Sequence, residues 1–392
     1  MGSDKQDFGL PVADEAATVA DIGAQAFAMT PAEGVAWVEK VGLSNFRVLR
    51  EEGTVVGQAV PIPMGQWFGG RRVPMVGIGG VGVAPSARGR GTATRLMQGV
   101  VKELRSAGFP LSVLYPATQP LYRRVGYELA GSRYEMRVPV HGLNFTERTL
   151  SLRPIKPSDH PALHELYRRH ASARPGYLDR SHFIWDRVMN PRNETAYGFL
   201  VEGAQGVEGY LYLVRRRKVD LKQELFLTDF VALTPAAARR LLGFLGDHRS
   251  LALEVAWNGT PAEPILFLLR EQDYQVKLLF HWMARVLDVP KALEARGYPV
   301  GSSGTLHLEL EDDLFPENQG RFVLEVTGGQ ARVSRGGEGR VKLHVRTLAP
   351  LYTGFLSLDA LRMTGAVEAD DASVAVATAL FSGAPPALAD MF

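Results

Sequence analysis

The run Arg88-Gly89-Arg90-Gly91-Thr92-Ala93 is where residue types and spacing point most clearly to chemistry. It follows a strand pattern and opens an amphipathic helix pattern over residues 91–107. In that helix Ala93, Leu96, Met97, Val100 and Leu104 share one face. A helix start leaves backbone N–H groups unpaired and carries partial positive charge. Glycines let such a backbone come close to a phosphate, and Arg88 and Arg90 add charge-assisted hydrogen bonds. The pattern reads as a phosphate cradle. No Gly-Lys-Ser/Thr follows, so it is not a nucleoside-triphosphate loop. Nor does it have the three spaced glycines of a dinucleotide fingerprint. A glycine-rich turn with solvated arginines is the bland alternative, and the strand–loop–helix context argues against it.

The elements around this loop are those of a mixed α/β chain. Residues 13–27 read as a helix with Ala17, Ile22 and Phe27 among its apolar positions, and 33–41 as a short second helix carrying Trp37. Strands at 46–49 and 54–61 form a hairpin around Glu51-Glu52-Gly53. The strand at 73–83 contains Gly77, Gly79, Gly80 and Gly82. Glycine weakens a strand, and it marks a bulge or a close approach by something else. Gly108 sits at the helix end as a C-terminal cap. A buried strand at 111–115, a loop at 116–120 and a short helix at 121–124 follow.

A second region starts near Ser151. It repeats the alternation, with a helix at 161–170, strands near 197–201, 209–214 and 224–233, and a helix at 236–245. Val231-Ala232-Leu233-Thr234-Pro235 leads into that last helix much as Val83-Ala84-Pro85 leads into the first cradle helix, but without glycines. The echo suggests a duplicated fold that lost its cradle. A third region starts with a helical turn at 292–295. It continues with strands at 306–310, 322–326, 331–333 and 341–345, then helices at 347–355, 358–365 and 372–381, an α+β order.

Bulk properties narrow the class. A chain of 392 residues with 46% hydrophobic content favours two or three domains. Lys+Arg 44 against Asp+Glu 42 leaves a formal charge of +2, too little for a whole-protein field toward nucleic acid or membrane. With no cysteine, disulfides, zinc–thiolate sites and a thiol nucleophile are excluded. Residues 1–10 lack a signal-peptide pattern, and no run approaches the roughly 18 apolar residues of a membrane helix. The expectation is a soluble cytoplasmic protein.

Arg88–Ala93 matches the Arg/Gln-x-x-Gly-x-Gly/Ala signature, so the segment resembles the GNAT superfamily of N-acetyltransferases. Leu121-Tyr122-Arg123-Arg124-Val125-Gly126-Tyr127 is similar to a segment of the Eis-type members. So are residues 289–298 and the chain's end at Phe392. The resemblance covers essentially the whole chain. It implies tandem GNAT domains, the second degenerate, followed by a sterol-carrier-protein-like α+β domain, with boundaries at 1–148, 149–287 and 288–392. It implies acetyl-CoA as co-substrate. Val81 and Val83 would bond the pantetheine arm, with Gly82 between them. Arg88, Gly89, Arg90, Gly91, Thr92, Ala93 and Thr94 would hold the pyrophosphate, and Ala117 and Thr118 would complete the cofactor site.

The same resemblance makes Tyr122 the general acid and the Phe392 α-carboxylate the base. A thiol has pKa about 8.5 and a tyrosine about 10, so a phenol can protonate a departing thiolate with modest mismatch. An α-carboxyl near about 3.5 is a weak base for an ammonium near about 10, and burial narrows that gap. Phe392 is therefore read as orienting group and proton acceptor after attack. The terminal segment 387–392 is mostly apolar and should dock rather than fray. Tyr127 matches the family equally well and is expected to be structural.

The acceptor is expected to be a primary amine, on an aminoglycoside-like polyamine or other small molecule or on lysine, with Trp37, Met29, Gly80 and Met391 at its pocket. Met391 precedes the terminal residue where a polycation pocket wants an acid, so kanamycin-class drugs should be poorer substrates than for acidic-pocket relatives. The resemblance also implies a homo-oligomer, a hexamer. Weaker candidates are Asp14, Asp21 and Glu33 on the first helices, and the basic run 215–218, more simply a solvated turn. Pro161 is expected to leave His160 outside its helix, and His164 and His170 should diverge, so no metal is expected. Two other readings stand beside the enzyme: an apolar-ligand carrier using the third domain, and a non-catalytic acetyl-CoA sensor.

Overall fold

The computed structural model describes residues 6–191 and 194–392. The first five residues, part of the leader reading above, lie outside the described residues. The first region contains β1 (Gln6–Gly9), α1 (Ala16–Ala26), α2 (Pro31–Val41), β2 (Arg47–Glu51), β3 (Thr54–Phe68) and β4 (Arg71–Val83). It continues with α3 (Thr92–Ser106), β5 (Leu111–Leu114), α4 (Gln119–Arg123) and β6 (Glu128–Pro139). Local sequence explains the joints. Thr30 and Glu33 form a reciprocal capping box that starts α2. Glu52 and Gly53 both take positive φ, which closes the β2–β3 hairpin. Leu96, Met97, Val100 and Leu104 form the buried face of α3.

The second region contains β7 (Ser151–Pro154), α5 (His160–Ser172), β8 (Leu178–Asp179), α6 (His182–Met189), β9 (Tyr197–Gly203) and β10 (Gly206–Arg217). After these come β11 (Gln223–Ala232), α7 (Pro235–Gly246), β12 (Ala252–Gly259) and β13 (Gln275–Val286). The helix α5 includes His160, so Pro161 sits one place inside its start, not at it. His160 then stacks on His164, ring planes 8° apart, and His164 stacks on Trp185. Among the described residues no group of three or more His, Asp or Glu is placed to hold a metal ion.

The two regions share one sheet, in the order β1-β2-β3-β4-β5-β13-β6-β12-β11-β10-β9-β7. The last strand of the second region, β13, lies between β5 and β6 of the first, antiparallel to both. Gly131 on β6 makes this possible, because a Cβ there would lie 2.2 Å from the Trp282 indole. The sequence reading assigned no strand to either β6 or β13. A linear boundary near residue 148 thus separates strands that are neighbours in space, whereas the strands after residue 287 pair only with one another.

The third region contains α8 (Val289–Ala295), β14 (Gly304–Glu311), β15 (Gly320–Thr327), β16 (Gln330–Arg335) and β17 (Val341–His344). It ends with α9 (Val345–Thr353), α10 (Leu358–Met363), β18 (Val367–Ala369) and α11 (Asp371–Phe381). Its sheet runs β16-β15-β14-β17-β18. Phe322, Leu324, Leu308, Leu348 and Leu380 pack from sheet and helices into a cluster continuous with Met64, Met75 and Val113 of the first region. The Gly297 amide bonds the Phe68 carbonyl at 2.9 Å, so the third region is fixed to the β3–β4 turn. None of the described helices is long and apolar enough to cross a membrane.

Candidate active site

The glycine-rich turn read as a phosphate cradle joins β4 to α3. Gly89 and Gly91 take φ of 76° and 79°, a left-handed backbone that only glycine adopts without strain. The first helical bond of α3 runs from Arg95 N to Gly91 O at 3.1 Å, so the Thr92, Ala93 and Thr94 amides precede the ladder. No side chain caps this end. The Thr92 hydroxyl instead turns back to the Ala87 carbonyl at 2.9 Å, and Arg95 braces the Arg90 carbonyl at 2.7 Å. Arg88 and Arg90 are exposed beside the turn.

The duplicate helix is closed in contrast. Thr234 caps α7 by accepting from the Ala237 amide at 3.1 Å, and donates to Glu208 at 2.6 Å. One of its donors is used internally and a carboxylate stands beside the helix start, both unfavourable to phosphate. The basic run is likewise consumed. Arg216 pairs with Glu194 at 2.7 Å, and Lys218 with Glu224 at 2.8 Å.

Next to the cradle, β4 departs from regular pairing. Its register against β3 shifts between Gln58 and Val60, where Gly80 takes φ of 60° and makes a bulge. On its other edge β4 pairs with β5 only from Met75 to Ile78. Residues 79–83 have no strand partner on that side among the described residues. The Ala84 amide bonds the Val56 carbonyl at 2.9 Å. Alternation along the strand therefore aims the Val83 N–H toward the open edge.

Each glycine of β4 accommodates a neighbour. A Cβ on Gly77 would lie 2.7 Å from the Phe392 ring, and one on Gly79 would lie 3.4 Å from the Phe392 carboxyl carbon. A Cβ on Gly80 would meet Trp37 at 2.9 Å, and one on Gly82 would meet Ile22 of α1 at 3.2 Å. The end of the chain thus docks against the splayed strand. Tyr115 lies beside it, rings 5.7 Å apart, and donates a 2.8 Å hydrogen bond to the Asp390 carbonyl. Met391 is partly exposed and Met29 half-buried, and Trp37 sits between Phe27 and Phe46. Asp21 is engaged by Gln25 at 2.6 Å and Glu33 by its capping box.

Tyr122 stands on α4 and is buried in the α3-side cluster with Val76, Ile78 and Leu114. Its hydroxyl makes no hydrogen bond to protein among the described residues, and burial pushes its pKa up to about 12. Tyr127 differs sharply, since its hydroxyl pairs with Ser112 at 2.7 Å, and Ser112 in turn donates to the Val76 carbonyl. Because side chains alternate along β4, Val76 and Ile78 face Tyr122, while Gly77 and Gly79 face Phe392. The two candidate proton carriers therefore approach from opposite faces of the sheet. The gap beyond the last β4–β5 pair joins those faces. A groove of about 540 Å³ lies between the loop after β5 and β13, lined by Ala117, Thr118, Phe280 and His281 among others. A larger hollow of about 660 Å³ lies at residues 142–149 and contains none of these groups.

Tyr115, Met64, Asp390 and Arg180 are part of this neighbourhood and were not singled out from sequence. The one signal was Asp390, an acid inside an otherwise apolar terminus.

An open helix start, a bulged and splayed strand and a short helix bearing a free phenol define an acetyl-CoA fold. The matches to known proteins agree. Residues 12–130 and 176–286 match acetyltransferase (GNAT) domain families, and residues 289–389 match a sterol carrier protein domain. A solved GCN5-related N-acetyltransferase from Anabaena variabilis is 37% identical, with TM-score 0.95 over 99% of this chain and 100% of that one. An "Uncharacterized N-acetyltransferase" of Streptomyces avermitilis is 31% identical, covering 81% of each chain. N-acetyltransferase Eis of Mycobacterium tuberculosis is 27% identical, covering 83% of each. The chain belongs to the GNAT N-acetyltransferases. Within them it is an Eis-like enzyme, with two GNAT domains, the second lacking a phosphate cradle, and a sterol-carrier-like third domain.

Proposed function

We propose that this acetyltransferase moves the acetyl group of acetyl-CoA onto a primary amine, of a small molecule or of lysine, by direct attack. The pyrophosphate rests on the amides of residues 92–94 with Arg88 and Arg90, and the pantetheine arm runs along Val81, Gly82 and Val83 beside Ala117 and Thr118. The open edge of β4, the uncapped start of α3 and the left-handed glycines suit that cargo.

The amine enters from the Phe392 side, past Trp37, Met29, Gly80 and Met391. Its nitrogen forms a bond to the thioester carbon, and the Val83 N–H steadies the oxyanion. The carbon–sulfur bond then breaks as Tyr122 gives its proton to sulfur. The Phe392 carboxylate takes the proton that the new amide nitrogen sheds. Water returns that proton to the phenolate, so the sum is amine plus acetyl-CoA giving amide plus coenzyme A. The gap between a phenol near 12 and an ordinary thiol near about 8.5 is wide. A thiolate leaving in the same apolar pocket is itself desolvated and more basic, which narrows that gap.

The observation that carries this reading is the placement of the chain terminus against Gly77 and Gly79 at the splay. Adding one residue after Phe392 moves the carboxylate away from Gly79. Coenzyme A release should then fall by about 10²-fold or more, and full activity in the extended protein overturns the carboxylate role. The acceptor is a monoamine before it is a polycation, because Asp390 faces away from the pocket and Met391 lies beside it. Kanamycin rates equal to those of acidic-pocket relatives would overturn this. A hexamer, the assembly expected from the resemblance, is checked by sedimentation.

A further inference from the structure

The terminal segment is held by the second GNAT domain. Arg180 lies between β8 and α6, and its side chain is 2% exposed. Its guanidinium bonds both Asp390 oxygens, from Nε at 3.1 and 3.0 Å, with Nη2 at 2.9 Å from Oδ1. Its other edge bonds both oxygens of Asp229, at 2.6 and 3.0 Å. Tyr167 stacks against the guanidinium at 3.7 Å, and Tyr210 donates to Asp229 at 2.7 Å. Upstream, the Leu388 amide bonds the Ser132 carbonyl on β6 at 3.0 Å, and the Ala387 amide bonds the Pro175 carbonyl at 3.0 Å.

A chain end is ordinarily frayed, because fixing each backbone residue costs about 1–2 kcal/mol in entropy. Here the last hydrogen-bonded residue is Asp390, held by Arg180 and the Tyr167 hydroxyl through its side chain and by Tyr115 through its carbonyl. Only Met391 and Phe392 extend beyond it. Two residues reach at most about 7 Å, so wherever Asp390 is held, the terminal carboxylate is confined. A surface ion pair would do little of this, whereas a bidentate, desolvated pair on aromatic walls is a rigid joint.

We infer that Arg180 and Asp390 are positioning residues for the Phe392 carboxylate, so that the domain without a phosphate cradle is a required part of the active site of the other. This rests on the carboxylate role proposed above. Arg180 does not touch substrate; it acts through Asp390. The pair also explains why an acid two places from the end does not serve the acceptor pocket: its charge is already engaged by a buried cation.

The test is a double-variant cycle on the full-length enzyme, with Asp390→Asn, a one-residue extension after Phe392, and both together. Asp390→Asn keeps shape and leaves Arg180 paired with Asp229. Coenzyme A release should show kcat reduced about 10- to 100-fold, with KM for acetyl-CoA within about twofold, since the cradle on α3 is untouched. In the extended protein the same substitution should cost less than about twofold, because the carboxylate is already displaced. Tyr115→Phe removes the second tether without removing charge, and should show the same pattern at smaller size if Asp390→Asn fails to fold. If extension abolishes turnover but neither Asp390→Asn nor Tyr115→Phe lowers kcat, the inference fails and the carboxylate role stands. If Asp390→Asn costs the same factor with and without the extension, it acts by another route and the inference fails. If extension is harmless, the carboxylate role fails first and the inference with it.

Discussion

Gly77 is the residue on which the placement of Phe392 depends most directly. A Cβ there would lie 2.7 Å from Phe392 Cε2, and 2.8 Å from both Phe392 Cδ2 and Met64 Cε. Carbon atoms settle at about 3.5–4.0 Å. Gly77→Ala must therefore push the ring by about 1 Å, and the carboxylate moves with it. Overpacking of this size costs about 1–3 kcal/mol in stability, which a fold stable by about 5–15 kcal/mol survives. Misplacing a reacting group by about 1 Å costs roughly 10²-fold in rate, or about 2.7 kcal/mol in the barrier. The two effects separate in measurement. Thermal melting should show a folded protein, and thiol-detected coenzyme A release at saturating substrates should show kcat down about a hundredfold. KM for acetyl-CoA should hold, because residues 81–94 are not displaced. Gly79→Ala is the comparison, since its Cβ would meet the Phe392 carboxyl carbon and Ile62 at 3.4 and 3.6 Å, ordinary contact, and its loss should be smaller. A folded Gly77→Ala protein with kcat within twofold of the parent would refute the reasoning.

Tyr122→Phe should lower kcat by about 10²–10⁴-fold with little change in melting. Tyr127→Phe should do the reverse, losing about 1–3 kcal/mol of stability from the buried Ser112 partner while kcat stays near the parent value. Replacing Arg88 and Arg90 together by alanine should raise KM for acetyl-CoA by about one to two orders of magnitude and leave kcat nearly unchanged, read from initial rates at varied acetyl-CoA. Burial holds the Tyr122 phenol near 12, so its ionisation removes no activity below about pH 10. The same shift is a stability term: it is fully present below the unfolded value near about 10 and is lost as pH rises through about 12. Melting temperature should fall between pH 10 and 12, and less so in Tyr122→Phe.

The cradle was legible because its determinants are local. A helix start, two left-handed glycines and flanking arginines all lie within a few residues, and no distant part of the chain is needed to read them. The glycines of β4 were half legible. Their number signalled close approach, but the approaching groups, Phe392, Trp37 and Ile22, arrive from far along the chain. The strand insertion was not legible. β13 pairs with Leu111–Leu114 and with β6, and partners more than a hundred residues apart leave no periodic trace in either segment. Arg180 was not singled out for the same reason. Nothing near it in sequence carries the charge that holds it. His160 shows the smaller, local kind of error, a helix that begins one residue before its proline.

The route of the chain end has a consequence for how this enzyme becomes active. The tail reaches β4 only by lying on Ser132 of β6, on Pro175 and on Arg180. β6 lies in the sheet between β13 and β12, both strands of the second region. The tail itself continues from α11 of the third region. The cradle makes no such demand, because its glycines and amides belong to one strand–helix unit. On the proposed mechanism, cofactor binding would draw on β4 and α3 alone and catalysis on all three regions at once.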